Sequence, residues 1–160
     1  MAQHKQLWLL RHGDAEPGDR DDAARRLTDR GEREARDAGA ALAALGLRFV
    51  DVLTSPRVRA RDTARLAAGP LGVEPMEHGP LSRGFDAEAA LAVMAGHEPG
   101  AKVLMVGHEP DLSQVVRDLT GSEIALKKGG LAGIRLDGAR SELIALLRPS
   151  ELRALAAGPG

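Results

Sequence analysis

Short apolar runs separated by segments of helical period constrain the fold of this chain more than any other feature. Residues 6–10, 50–53, 102–106, 133–136 and 143–147 have the length and apolar content of strands, and residues 73–76 form a weaker one. Between them, Thr28 stands as an N-cap before Ala35, Ala38, Leu42 and Leu45, which recur at steps of three and four until Gly46 ends the pattern. Pro56 suits the first turn of a second helix that Gly72 closes. Ala87, Ala90, Leu91 and Met94 mark a third helical face, and Leu112, Val115, Val116 and Leu119 a fourth. This alternation predicts an α/β protein: a three-layer α/β/α sandwich around a mostly parallel central sheet of about six strands. The last two runs are joined by Asp137-Gly138-Ala139-Arg140-Ser141, a hairpin-length connection, so one antiparallel edge pair is expected.

At 160 residues the chain suits a single domain over residues 1–160, with no linker or internal repeat of domain scale. A domain of this size buries roughly 70% of the surface its unfolded chain exposes, enough for a core without staples. The tail, residues 149–160, is expected to hold a short helix and a partly frayed end. Residues 14–26 are polar and lack an apolar period, which reads as a surface loop after the first strand, where loops commonly rim a site.

Composition removes several function classes. The 22 Lys and Arg nearly balance 23 Asp and Glu, and there is no tyrosine and one tryptophan, so neither a basic field nor stacking platforms point to nucleic acid. The absence of cysteine excludes disulfides, thiolate metal sites and cysteine nucleophiles, and fits a reducing compartment. No apolar run approaches the ~20 residues of a membrane helix, and the first residues lead straight into a strand, so a soluble cytoplasmic protein is expected.

The chemistry gathers where strands end, the usual ligand side of an open α/β sheet. Arg11-His12-Gly13 follows the first strand and offers a candidate nucleophile beside a candidate phosphate clamp. Gly-His-Glu-Pro occurs twice, at residues 96–99 and 107–110. The first follows a helical run, so Gly96 reads as a helix stop and His97 as a surface loop residue. The second follows a buried strand, which places His108 at a strand end as His12 is. After the strand at residues 50–53, the run Ser55-Pro56-Arg57-Val58-Arg59-Ala60-Arg61 opens a helix, and spacing alone does not settle which arginine turns back to the strand ends. Ser55 lacks the flanking glycines of a nucleophile elbow and reads as an N-cap. Adjacent arginines repel a cation and no His-x-x-x-His spacing occurs, so neither a metal nor another cofactor is expected.

These residues resemble the histidine phosphatase superfamily, and more closely its SixA-type phosphohistidine phosphatases. The resemblance rests on Leu9-Leu10-Arg11-His12-Gly13-Asp14-Ala15, on Arg26-Leu27-Thr28-Asp29-Arg30-Gly31, on Ser55-Pro56-Arg57-Val58-Arg59-Ala60-Arg61-Asp62-Thr63-Ala64 and on Val106-Gly107-His108-Glu109-Pro110. It implies the phosphoglycerate mutase-like fold, His12 as nucleophile, and Arg11, Arg59 and His108 as the phosphate pocket. Arg57 and Arg61 then become surface residues, and Arg26 and Gly13 weaker candidates for the phosphate rim. Asp14, Asp86 and Glu109 are the carboxylates available as a proton donor, each with a competing structural role in a loop, a helix cap or a first turn.

The resemblance further implies hydrolysis through a covalent phosphohistidine without a metal, acting on phosphate or on a phosphorylated protein side chain such as phosphohistidine. Only about 35 residues separate Leu66 from Lys102, which leaves no room for the insertions of larger relatives and predicts a shallow, open site suited to a protein surface. A general small-molecule phosphomonoesterase with the same pocket is the main alternative, and a non-catalytic phosphate-binding module a further one.

Overall fold

The computed structural model describes residues 3–18, 21–138 and 140–159. Asp19 and Arg20 of the first loop, Ala139 of the predicted hairpin connection and the extreme ends lie outside the described residues. Six strands, β1 Gln6–Arg11, β2 Asp51–Thr54, β3 Pro75–Glu77, β4 Lys102–Gly107, β5 Leu131–Arg135 and β6 Glu142–Leu147, form one sheet in the order β3-β2-β4-β1-β5-β6. The pairs β3/β2, β2/β4 and β4/β1 are parallel, and β5/β6 is the expected antiparallel pair. β5 is also antiparallel to β1, so it opposes both of its neighbours.

Five helices cover the two faces: α1 Asp29–Ala44, α2 Val58–Leu71, α3 Ala87–Ala95, α4 Asp111–Thr120 and α5 Pro149–Ala157. Strand residues alternate between them with the period of two that a sheet imposes. Leu7, Leu9, Val103, Met105, Ala132 and Ile134 pack with Ala90 and Met94 of α3 and Leu112, Val115 and Val116 of α4. Trp8, Leu10, Leu104, Val106 and Leu131 face the other way, against Ala38 and Leu42 of α1, Ala60, Ala64 and Ala67 of α2 and Leu152 of α5. Small alanines on α1 and α2 let these two helices pack on each other while both lie on the sheet.

Local signals act as the sequence predicts at several ends. Thr28 Oγ1 accepts from the Gly31 N–H at 3.1 Å and caps α1, and Gly46 follows its end with φ +75°. Others differ. β5 begins two residues before the expected run because Leu131 and Ala132 pair with Leu10 and Leu9 of β1. α2 starts at Val58 with Arg57 as N-cap, leaving Pro56 outside the helix. His97 lies in the loop after α3, as expected, but is half-buried: its ring contacts the Val93 carbonyl and, at 2.6 Å, Asp51 Oδ2, tying the end of α3 to the start of β2.

The tail holds the short helix expected of it. α5 runs to Ala157 and packs along α1, and Leu152 is fully buried in the core on that face of the sheet. Leu152→Ala is predicted to cost about 2–5 kcal/mol in urea unfolding, whereas a loss under about 0.5 kcal/mol would mean that the tail contributes no packing.

Candidate active site

Register brings the site together. β2, β4 and β1 are adjacent and parallel, with Thr54 opposite Val106 and Arg11 opposite Gly107. Their carboxyl ends therefore lie side by side, and the chain just beyond them stays paired: the Ser55 N–H donates to the Val106 carbonyl and the His12 N–H to the Gly107 carbonyl. His12 and His108 consequently face each other with ring centroids 5.2 Å apart. Arg59, in the first turn of α2, donates from Nε to His12 Nε2 at 3.3 Å. Three strand ends thus converge on one cluster.

The tautomer of His12 follows from its contacts. Its Nδ1 lies 2.7 Å from the Gly13 carbonyl, which can only accept, so Nδ1 carries the proton and Nε2 keeps its lone pair. Burial, together with the charges of Arg59, Arg11 and Arg25, lowers the His12 pKa to about 4 although the Gly13 bond works the other way. His108 is lowered to about 3 by burial and then by its positive surroundings, His12, Arg59 and Arg57. Both rings are neutral near pH 7. His108 Nε2 lies 2.8 Å from Ser55 Oγ, while His108 Nδ1 and Arg11 Nε are buried with no hydrogen-bond partner among the described residues.

The backbone of the Arg-His-Gly segment is fixed from three sides. The Gly129 N–H donates to the carbonyls of Arg11 and His12, and Arg11 Nη1 donates to the Leu126 carbonyl. Thr63 of α2 accepts from the Gly13 N–H at 3.1 Å and donates to the Arg59 carbonyl, joining nucleophile loop to arginine. Gly13 lies against Gly31 at the start of α1, where a Cβ on Gly13 would come within 2.6 Å of the Gly31 carbonyl oxygen. Gly13 is thus a packing requirement of the loop, and its own N–H is taken by Thr63.

The other weaker candidates fall elsewhere. Asp14 accepts from Thr28 Oγ1 at 2.8 Å and from Lys128 at 3.3 Å, and the Thr28 bond holds its carboxyl below the usual range. Asp86 caps α3 by accepting from the Ala89 N–H at 2.8 Å. Glu109 accepts from the backbone and hydroxyl of Ser113. Each expected proton donor is therefore engaged in holding structure. Arg26 is exposed and lines a hollow with Leu27, Glu32, Val58 and Asp62, away from His12.

Its neighbour Arg25 approaches instead, with Nε 3.0 Å from Asp22 Oδ1. Arg57 is not a surface residue: its Nε donates to Ser82 Oγ and its Nη1 to Asp22 Oδ2, so it stands beside Arg59. Arg61 does face solvent, as expected. Ser55 is not the N-cap of α2; its oxygen accepts from the Arg57 N–H and contacts His108. The open site expected from the short chain is not present at the cluster itself, since His12, Arg59 and His108 are 6%, 4% and 7% exposed. A more open groove of about 510 Å³ adjoins Arg11 and is lined by Arg30, Lys127, Lys128 and Arg148 among others.

Comparisons with known proteins bear on the family and the fold. The family model described as the histidine phosphatase superfamily (branch 1) matches residues 7–82. An uncharacterized protein of Picosynechococcus sp. is 38% identical over 92% of this chain and 98% of its own length. The protein histidine phosphatase SixA complexed with tungstate superposes with a TM-score of 0.82 at 24% identity, covering 92% of this chain and 99% of that one. A phosphoserine phosphatase from Entamoeba histolytica in complex with 3-phosphoglyceric acid gives a TM-score of 0.74 at 16% identity, with 92% and 99% covered.

The two lowered imidazoles carry a stability consequence. Below their unfolded value of about 6.5 the unfolded chain binds more protons than the folded one, so stability falls as pH drops from 6.5 towards 4. A His12→Asn/His108→Asn double variant is predicted to show a visibly shallower fall in urea midpoint between pH 7 and 5 than the parent. An unchanged slope would contradict the burial of both rings in neutral form.

Proposed function

The chain belongs to the histidine phosphatase superfamily, and from that premise we propose that it is a phosphatase acting through a covalent phosphohistidine on His12, with phosphohistidine on a protein as its substrate. The observation that carries this reading is the His12 Nε2 lone pair, held towards Arg59 by a ring whose other nitrogen is fixed to Gly13. A neutral imidazole is a nucleophile at pH 7, and no general base is required to free it.

In the first step His12 Nε2 attacks phosphorus in line, the P–N bond of the substrate breaks, and the leaving imidazole takes a proton from solvent water. In the second, water attacks phosphorus, the P–Nε2 bond breaks, and phosphate leaves with His12 neutral again. Arg59 and Arg11 neutralise the equatorial oxygens as charge spreads over them. The unpartnered His108 Nδ1 and Arg11 Nε gain acceptors when an anion enters. A phosphoryl dianion against His108 also favours its protonated form, which then donates.

Phosphohistidine suits the carboxylates as they stand. Asp14, Asp86 and Glu109 are committed to Thr28, Ala89 and Ser113, and an imidazole departs with far less acid assistance than an alkoxide. The basic groove beside Arg11 gives a phosphoprotein somewhere to rest, and the fold is shared with a protein whose name is protein histidine phosphatase SixA. The likeness to a phosphoserine phosphatase supports a second reading, a small-molecule phosphomonoesterase on the same pocket. In both, the arginines supply the electrostatic stabilisation and EDTA leaves the rate unchanged.

The first experiment compares turnover of a phosphohistidine protein, a sugar phosphate and an aryl phosphate by the parent chain and by His12→Ala, Arg59→Ala and Arg57→Ala. The expected result is strong preference for phosphohistidine, abolition by His12→Ala with loss of an acid-labile adduct, and a rate loss of roughly 10²-fold or more for Arg59→Ala, larger than for Arg57→Ala. Full activity of His12→Ala would overturn the nucleophile, and preference for a small ester would favour the second reading.

A further inference from the structure

A carboxylate outside every expected position sits on the phosphate-side arginines. The loop after β1 is closed at its base by an Ala15–Leu27 bridge and a Glu16 N–H bond to the Arg26 carbonyl. Above that base, a 3₁₀ turn over Asp22–Ala24 brings Asp22 Oδ2 within 2.9 Å of Arg57 Nη1 and 3.2 Å of Arg59 Nη2. Its Oδ1 lies 3.0 Å from Arg25 Nε, and its main-chain carbonyl accepts from Arg59 Nη1 at 2.8 Å.

The edges of the Arg59 guanidinium make this contact informative. Nε and Nη2 lie on one edge and form the fork that grips two oxygens of a phosphoryl group. Nε of that fork meets His12 Nε2, and Nη2 meets Asp22 Oδ2. A phosphoryl group on its way to His12 needs both teeth, so Asp22 Oδ2 stands where one of its oxygens belongs, between Arg57 and Arg59.

We propose that Asp22 is a specificity-determining counter-anion, holding the place of a phosphoryl oxygen until substrate displaces it and returning to weaken the hold on phosphate after hydrolysis. This rests on the reading of His12, Arg11, Arg59 and His108 as the phosphoryl site. The carboxylate is half exposed, at 52%, so it can turn to water without burying a charge. Partial burial opposes its ionisation, but Arg59, Arg25 and Arg57 outweigh that and keep it below the usual carboxylate range, so it is anionic wherever the enzyme works. A dianion that also satisfies His108 Nδ1 and Arg11 Nε wins the exchange, whereas a singly charged oxyanion gains little over the carboxylate it replaces. The site thereby favours phosphoryl dianions and sheds product.

The test measures binding of inorganic phosphate and of tungstate by calorimetry to the parent chain, Asp22→Asn, Asp22→Ala and Asp22→Asn/Arg59→Ala, with product inhibition by phosphate alongside. Asp22→Asn and Asp22→Ala are expected to bind phosphate about tenfold more tightly and to be inhibited by it at correspondingly lower concentration, a gain that a damaged fold does not produce. Unchanged or weaker binding in both variants overturns the assignment. Phosphate binding by Asp22→Asn/Arg59→Ala as tight as by Asp22→Asn places the anion elsewhere, contradicting the phosphoryl-site reading itself and the assignment with it.

Discussion

The bond from His12 Nδ1–H to the carbonyl of Gly13, the next residue in the chain, decides what the cluster can do. An imidazole free to choose its tautomer or to protonate would offer Nε2 as a donor half the time or more. Here one nitrogen is committed and the ring is buried among positive groups, so Nε2 is a lone pair facing a guanidinium. Much of the surrounding structure serves that commitment. Gly129 holds the carbonyls of Arg11 and His12, Thr63 holds the Gly13 N–H, and the Gly13–Gly31 approach leaves no room for the loop to shift.

The same cluster concentrates cations where a neutral histidine is needed. Arg11, Arg25, Arg57 and Arg59 all lie around one small region, and the imidazole pKa values are lowered first by burial and then by such neighbouring positive charges. The cost to the resting protein is partly offset by Asp22, the carboxylate that three of these arginines share. A phosphoryl group meets an environment already arranged for negative charge, with little reorganisation left to perform.

Most of the fold was legible because period and punctuation report local physics. The alternation of Leu7 to Leu10 between two faces, the Thr28 cap and Gly46 each act as their residue types dictate. The convergence of His12 and His108 was legible too, since each follows an apolar run and parallel strands carry their ends to one edge, whereas spacing left Arg57, Arg59 and Arg61 open and only the family resemblance pointed to Arg59. What was not legible depends on tertiary contact. Ser55 was weighed as a cap, but its bond to His108 needs the register of β2 against β4. The alanine-rich tail carries too few apolar residues to announce that Leu152 completes a core. Asp22 and Arg25 gave no signal at all, because a polar loop without period does not reveal which of its charges folds back, and Arg57 is one of three neighbouring arginines whose directions spacing alone does not settle.

The account turns on the state of one ring, and nitrogen NMR of histidine-labelled protein reports that state directly. It predicts that His12 Nδ1 shows a pyrrole-type resonance and Nε2 a pyridine-type one from pH 8 down to about 5, with protonation only near pH 4. A proton on Nε2, or titration near the ordinary value of about 6.5, would contradict it.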